Sequence, residues 1–449
     1  MQTPSPAPIE YVSNLKRALI YGQINEKDFY PFSPIPSSRS FLSSTVKGTE
    51  AIIDQTYRAW NYGQMSSAIV QNPNLLSRND AFGGPAPADF VDDLRRSLLY
   101  GGLTYTDLGG FYIPPYQATF WRDFTKFQTL NHGTGIPLTC TRSGSASYIG
   151  SDGQMKIAQV NEPRFDFDPV TLECKGLLCE VSRKNFVLNS AVGQTQAPFA
   201  LVGGTYTVSW YGTGTVVVLD STGSNIGTMV GSGAFPIRTN FSVTVVTGNY
   251  SLLVAGSVQY LQFESGTFPT SWIPTGATPS VNDTRAQDFI ESSSDGLPSS
   301  IFDYAEGTLY ASFQQYANSQ RAGFLDFKAD QINTFSLRTQ TGTNTAKHEF
   351  NKRPGNRALE TVCRNLTDST VGTVYKLAGA YNNNTSDYRL FENGLNVGTI
   401  INQNNFLPEN IYRVQIGRTG ADASVHGWLR EVSYMPSALS NTDLTYLTT

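Results

Sequence analysis

The sequence predicts a mainly β fold: two β-sandwich domains preceded by a helical, partly extended N-terminal segment. Three observations carry that prediction. The 449 residues include Gly 40, Pro 23, Tyr 23 and Phe 26 but are only 15% charged, and turn formers with aromatics suit many short strands joined by tight turns. From Ala118 onward the apolar period is two, with Gly/Ser/Thr turns every few residues. Before about residue 115 the apolar spacing is instead helical. A net charge of −4 and 39% hydrophobic content argue against a disordered chain, a coiled coil or a basic nucleic-acid binder. No apolar run approaches the roughly 20 residues that span a bilayer, so no membrane insertion is expected.

In the segment 1–115, Val12, Leu15, Leu19 and Ile20 form one helical face, with Gly22 as a C-cap. The signature returns as Val91, Leu94, Leu98, Leu99 and Gly101. Residues 11–24 and 90–103 align with six identities in fourteen at an offset of 79, and the pairs Leu15/Leu94, Leu19/Leu98 and Tyr21/Tyr100 are among them. Two readings stay open: paired helices that dock into related sockets on a partner, or two amphipathic helices that pack on each other. A Pro/Ser-rich stretch, Tyr30 to Ser38, and few apolar residues suit a segment ordered on a partner. Met1 to Pro8 lacks the basic flank and apolar core of a secretory signal, which predicts synthesis in the cytoplasm.

Strands are expected at Thr205–Tyr211, Thr213–Asp220, Asn240–Thr247 and Tyr250–Ala255 in a first sandwich domain, residues 116–290. A polar linker follows at 291–306. A second sandwich, 307–449, has strands at Gly307–Phe313, Gly323–Phe327, Thr373–Tyr381, Tyr388–Phe391 and Trp428–Tyr434. Asn393-Gly394 is a two-residue hairpin turn.

The most specific text lies in the first sandwich domain: Thr141-Arg-Ser-Gly-Ser-Ala-Ser-Tyr148, Asn161-Glu-Pro-Arg-Phe-Asp-Phe-Asp-Pro-Val170 and Lys175-Gly-Leu-Leu-Cys-Glu-Val-Ser-Arg-Lys-Asn185. It is closed by Glu264-Ser-Gly-Thr-Phe-Pro-Thr-Ser-Trp-Ile-Pro-Thr275 and Thr284-Arg-Ala-Gln-Asp288. This resembles a module recurrent in bacteriophage virion proteins, whose jelly roll is similar to carbohydrate-binding modules; the resemblance covers roughly Phe120 to Asp288. The last block is similar to a concanavalin A/laminin G-type sandwich through Lys376–Tyr381, Tyr388–Leu395, Gly427–Pro436 and Ser437–Leu444. Together the resemblances cover about three quarters of the chain. They imply a tail-fibre or head-fibre type protein located in the virion. It would attach to other virion proteins (baseplate, adaptor or neck) through residues 1–115 and bind host surface polysaccharide for adsorption, commonly as a homotrimer. The alternatives are a structural head-fibre or neck/collar decoration without a receptor, and a glycan-degrading spike.

Enzyme chemistry is not expected. The chain has no nucleophile elbow, zinc-protease or phosphate-loop motif, nor the long regular repeats of a β-helix depolymerase. Its three histidines (His132, His348, His426) are far apart and read as surface or loop residues. Asp166 and Asp168 alternate with Phe165 and Phe167, so on a strand they share a face at roughly 7 Å, a separation that glycoside cleavage could use. Both belong to the module motif, whose resemblance implies a structural use. Four cysteines, Cys140, Cys174, Cys179 and Cys363, lack metal-knuckle spacing and read as free buried thiols. Neither a metal nor a cofactor is expected, although the Asn run 382–384 could offer oxygens to Ca²⁺.

Sugar binding needs exposed rings beside amides and carboxylates. The candidates are Trp210 with Tyr211, adjacent strand residues of which one faces away from the core, and Trp428, opposite in phase to the core position Leu429. The loop Tyr381–Asp387 adds Tyr381, Asn383 and Asp387.

Overall fold

The computed structural model describes residues 118–449 apart from 281–282, 294–295, 299, 319–321, 330–332, 340–346, 354–359, 401–409 and 421–422. The expected helices at 11–24 and 90–103, with Leu15, Leu19, Tyr21, Leu94, Leu98 and Tyr100, lie outside the described residues. Among the described residues, Phe120–Tyr434 with Leu447–Thr449 belong to one compact unit and Met435–Tyr446 to another. The described residues are nearly all β, with one helix at Asn441–Thr448 capped by Ser440, whose Oγ accepts from the Asp443 amide at 3.2 Å.

Within the larger unit, two eight-stranded antiparallel sheets enclose one aromatic core. One runs Leu395–Asn396, Asp387–Glu392, Val374–Asn382, Glu306–Gln315, Gly427–Met435, Cys174–Cys179, Phe165–Phe167, with Phe120–Asp123 also paired to Gly427–Met435. The other runs Leu138–Thr141, Phe289–Ser292, Arg413–Ile416, Gly323–Lys328, Thr334–Thr339, His348–Arg353, Glu360–Arg364, Thr399–Ile400. Between them Phe120, Leu309, Phe327, Phe335, Leu377 and Val432 are fully buried. The hairpin expected at Asn393-Gly394 is present, with both residues at positive φ (47° and 82°), the backbone that Asn-Gly accepts at little cost.

A smaller sandwich stands apart from this core. Its four-stranded sheet is Asn225–Val230, Thr215–Leu219, Gly248–Ala255, Gln196–Leu201; its three-stranded sheet is Gly233–Val245, Gly204–Gly212, Gln259–Ser265. The β-branched run at Thr215–Leu219 alternates as the pattern requires, with Val216 and Val218 fully buried against Val208, Leu252 and Phe263.

Strand pairing does not follow the boundary read at 290. Phe120–Asp123, Cys174–Cys179 and Phe289–Ser292 pair with Gly427–Met435 and Arg413–Ile416, because Phe120, Phe165, Leu177, Cys179 and Ile290 belong to the same core as Leu309 and Leu429. The small sandwich is thus an insertion, entering at Arg183–Lys184 and leaving at Thr284–Arg285, two strands that pair with each other.

At this neck the module motifs meet in a buried ionic network. Arg164 pairs with Glu180 (2.7 Å) and Asp288 (2.5 Å), Arg142 with Asp288 (2.8 Å), and Arg285 with Glu180 (3.0 Å), every side chain at most 1% exposed. Glu180 also accepts from the Ser271 amide (2.8 Å) and the Tyr316 hydroxyl (2.6 Å). Burial alone would raise the Glu180 carboxyl, but Arg285 and Arg164 hold it well below the usual carboxylate range. Buried pairs are tolerated when further hydrogen bonds satisfy most of the remaining donors and acceptors. Here Gln159 O, Ser147 O and Val181 O accept from Arg142, Arg164 and Arg285, and within the network only the Nε groups of Arg164 and Arg285 lack a partner. These motif residues are structural.

Candidate binding cleft

A cleft of about 460 Å³ opens beside this network, within the size range of small-molecule sites. The large sandwich contributes Asp166 from Phe165–Phe167, Lys175 from Cys174–Cys179 and Trp428 from Gly427–Met435; the small one contributes Tyr211 and Arg238, and the closing phrase Trp272. Trp428 points here because Leu429, its neighbour in phase, is fully buried in the large core and successive strand residues face opposite ways.

Polar groups fix the floor. Asp166 Oδ1 accepts from the Ile149 amide (2.6 Å) and Oδ2 from Trp428 Nε1–H (2.8 Å). Burial pushes the Asp166 carboxyl up to about 6, against the pull of those two hydrogen bonds, Lys175 and Arg164. Lys175 Nζ lies 4.6 Å from the Trp428 ring centroid, a cation–π contact, and 3.6 Å from Asp168. Arg238 donates to Thr270 O (2.6 Å) and Ser209 Oγ (2.7 Å) with its guanidinium 5.8 Å from the Tyr211 ring. Half-buried Phe235 and Phe268 complete an aromatic rim. The cleft thus offers ring faces, two cations and one tightly held carboxyl, a set suited to a polyhydroxylated ligand.

Burial of Asp166, the acceptor of the Trp428 N–H, sets a pH response. A carboxyl raised from 3.8 to about 6 contributes stability that is fully present below its unfolded value and is lost as pH rises through about 6. The ¹⁹F resonance of Trp428 in 5-fluorotryptophan-labelled protein is expected to titrate with a midpoint near 6, and Asp166→Asn to abolish the titration. A Trp428 signal flat across that range would refute the coupling.

No family model matches this chain, and no curated protein matches it. Among solved structures it is similar to the CBM40 of the Ruminococcus gnavus IT-sialidase bound to α2,3-sialyllactose (17% identity, 32% of this chain and 83% of that one, TM-score 0.27). It is also similar to domain 4 of AbnA, a GH43 extracellular arabinanase from Geobacillus stearothermophilus, in complex with arabinotriose (13%, 36% and 73%, TM-score 0.30). A third is the NanB sialidase from Streptococcus pneumoniae (18%, TM-score 0.26), of which this chain covers 25%. At such TM-scores the likeness assigns neither ligand nor activity, and the functional reading rests on the cleft.

Of the residues expected to bind sugar, the cleft gathers Tyr211 and Trp428. Trp210 is fully buried in the small core, edge-on to Phe241, so of the adjacent pair it is the inward member. Trp210→Ala is expected to cost about 3–5 kcal/mol of stability, as large core deletions do, read as a lowered denaturation midpoint. Tyr381 is likewise a core residue, its hydroxyl donating to Asp303 O and bonded to Tyr434, because the strand Val374–Asn382 runs through it. Asn383 is buried, its Oδ1 accepting from the Tyr388 hydroxyl at 2.7 Å. Asn382 Oδ1 accepts from the amides of Asn384 and Thr385, a turn's bonds rather than free ligand oxygens. Asp387 is exposed and pairs with Arg389 at 3.2 Å. None of the three expected from that loop lines the cleft.

Asp166 and Asp168 are not presented together. The strand ends at Phe167, and Asp168 Oδ1 instead caps a turn by accepting from the Val170 and Thr171 amides, both at 2.9 Å. The histidines are buried rather than superficial; burial pushes both His132 and His426 down to about 4. All four cysteines are free, Cys174 half-buried and the others buried. Lys175 opens the Lys175–Asn185 motif, whereas Arg238 and Phe235 carry no signal in the sequence, since only the folded insertion brings them to the cleft.

Proposed function

We propose that this chain is a bacteriophage fibre protein that binds host cell-surface glycan in the cleft between its two sandwiches, without making or breaking a bond. The observation that carries the reading is the cleft itself: Trp428 anchored by Asp166, with Tyr211, Arg238 and Lys175 around it. Rings meet the apolar faces of pyranoses while cations and carboxyl oxygens meet hydroxyls. Binding without cleavage is supported by how the carboxyls are used. Both Asp166 oxygens accept N–H groups, and Glu180 is saturated by two arginines, a serine and a tyrosine. The virion setting and attachment through residues 1–115 rest on the module resemblance. In a homotrimer, linked weak sites raise avidity by about 10² to 10⁴, so one site need not be tight. The test is a glycan array and host-polysaccharide binding assay with the full chain, with reducing ends monitored in parallel. Saturable binding without product is expected; a folded chain that binds nothing, or that releases reducing ends, would contradict the reading.

A further inference from the structure

A second, larger cavity of about 920 Å³ borders the cleft, and the rings of Tyr148 and Phe167 line both. We propose that the two cavities are one groove, and that its ligand is an extended saccharide chain lying across the Tyr148–Phe167 divide rather than a single terminal sugar. The inference rests on the glycan reading of the cleft and goes further by naming the ligand's length class.

The short strand Phe165–Phe167 is the divide. Phe165 lines the second cavity and Asp166 the cleft, on opposite faces of the strand as alternation requires, and Phe167, where the strand ends, lines both, so the groove passes around that end. The other half of the divide, the hairpin Ala146–Ile149 with Met155–Ala158, is pinned by the groups that build the cleft. The Ile149 amide donates to Asp166, Ser147 O accepts from Arg164 at 3.0 Å, and Ser147 Oγ donates to Trp272 O at 2.6 Å. Tyr148 is therefore held at a fixed place between the cavities rather than on a free loop. The second cavity, like the first, combines apolar and polar groups: Leu138 and Phe165 on one side and Asn161, Glu162, Asp152 and Lys156 on the other. The Asp152–Lys156 pair (2.6 Å) is half exposed on both sides; such pairs contribute little to stability, so a ligand hydroxyl can exchange for one partner at small cost. Each cavity alone has the volume of a complete small-ligand site, so a ligand that fills both spans two such lengths. The second contact then forms at high effective concentration.

The experiment is calorimetric titration of the full chain with a size-graded oligosaccharide series cut from the polysaccharide that it binds. Affinity is expected to rise by about tenfold or more between fragments that fill the cleft and fragments that reach the second cavity. Ser151, exposed on the second cavity's wall, gives a steric block: Ser151→Trp is expected to reduce long-fragment affinity to the short-fragment value and leave short fragments unaffected, with Lys156→Ala a milder version. Affinity independent of length, or an equal loss for every length in Ser151→Trp, would overturn the groove while leaving the cleft intact. Failure of every fragment to bind would overturn the glycan reading and the groove together.

Discussion

Replacing Glu180 with alanine is expected to destabilise the larger unit by about 3–5 kcal/mol, the cost of removing one partner of a buried ion pair. The charge balance explains the size. Three guanidiniums, those of Arg142, Arg164 and Arg285, share two carboxylates, Glu180 and Asp288. Without Glu180 a single carboxylate would face three buried cations, while the Ser271 amide and the Tyr316 hydroxyl would lose their acceptor. Arg164→Ala should cost less, because Glu180 keeps Arg285 and Asp288 keeps Arg142. Denaturant titrations of both variants check the order; equal midpoints for Glu180→Ala and the unaltered chain would refute the account of the neck. The carboxyl's low position also fixes the sign with pH. Its contribution is present above the unfolded glutamate value and is lost as pH falls, the reverse of the Asp166 contribution.

Trp428→Ala is expected to weaken saccharide binding by about thirtyfold, roughly 2 kcal/mol, the scale of an aromatic anchor in a binding hot spot. The change should spare the fold, since Trp428 is half-buried and the core position is Leu429. Trp428→Phe separates two roles. It keeps a ring for stacking but removes the Nε1–H that Asp166 accepts at 2.8 Å. Affinity retained in Trp428→Phe and lost in Trp428→Ala would assign the energy to the ring; equal loss in both would assign it to the Asp166 bond. Unchanged affinity in Trp428→Ala would remove the cleft from the account.

The period-two rhythm and the Asn393-Gly394 turn are local signals, and the folded chain keeps both. The outward face of Trp428 was legible too, because one strongly apolar neighbour, Leu429, set the phase. Trp210 and Tyr211 show where such reasoning ends. Alternation puts one on each face, and only the packing of Val208, Leu252 and Phe263 decides that Trp210 enters the small core while Tyr211, itself only 8% exposed, faces the cleft. The insertion was hidden for another reason. Phe120 pairs with Tyr434 and Ile290 with Ile416, separations across which no local pattern acts. The module text was visible from the start, but its meaning was not: Arg142, Arg164, Glu180, Arg285 and Asp288 read as spaced polar residues on several strands until folding joins them. The cleft follows from that junction, so Arg238 could not be chosen before it.

The measurement that tests the central claim most directly is a ¹⁹F NMR titration of the 5-fluorotryptophan-labelled full chain with the saccharide selected on the array. Each resonance would be assigned by single Trp→Phe substitutions. The account predicts saturable shifts at Trp428 and Trp272, which line the cleft, with Trp210 unmoved in its core. Saturation that leaves Trp428 and Trp272 unshifted would place the ligand elsewhere and contradict the account.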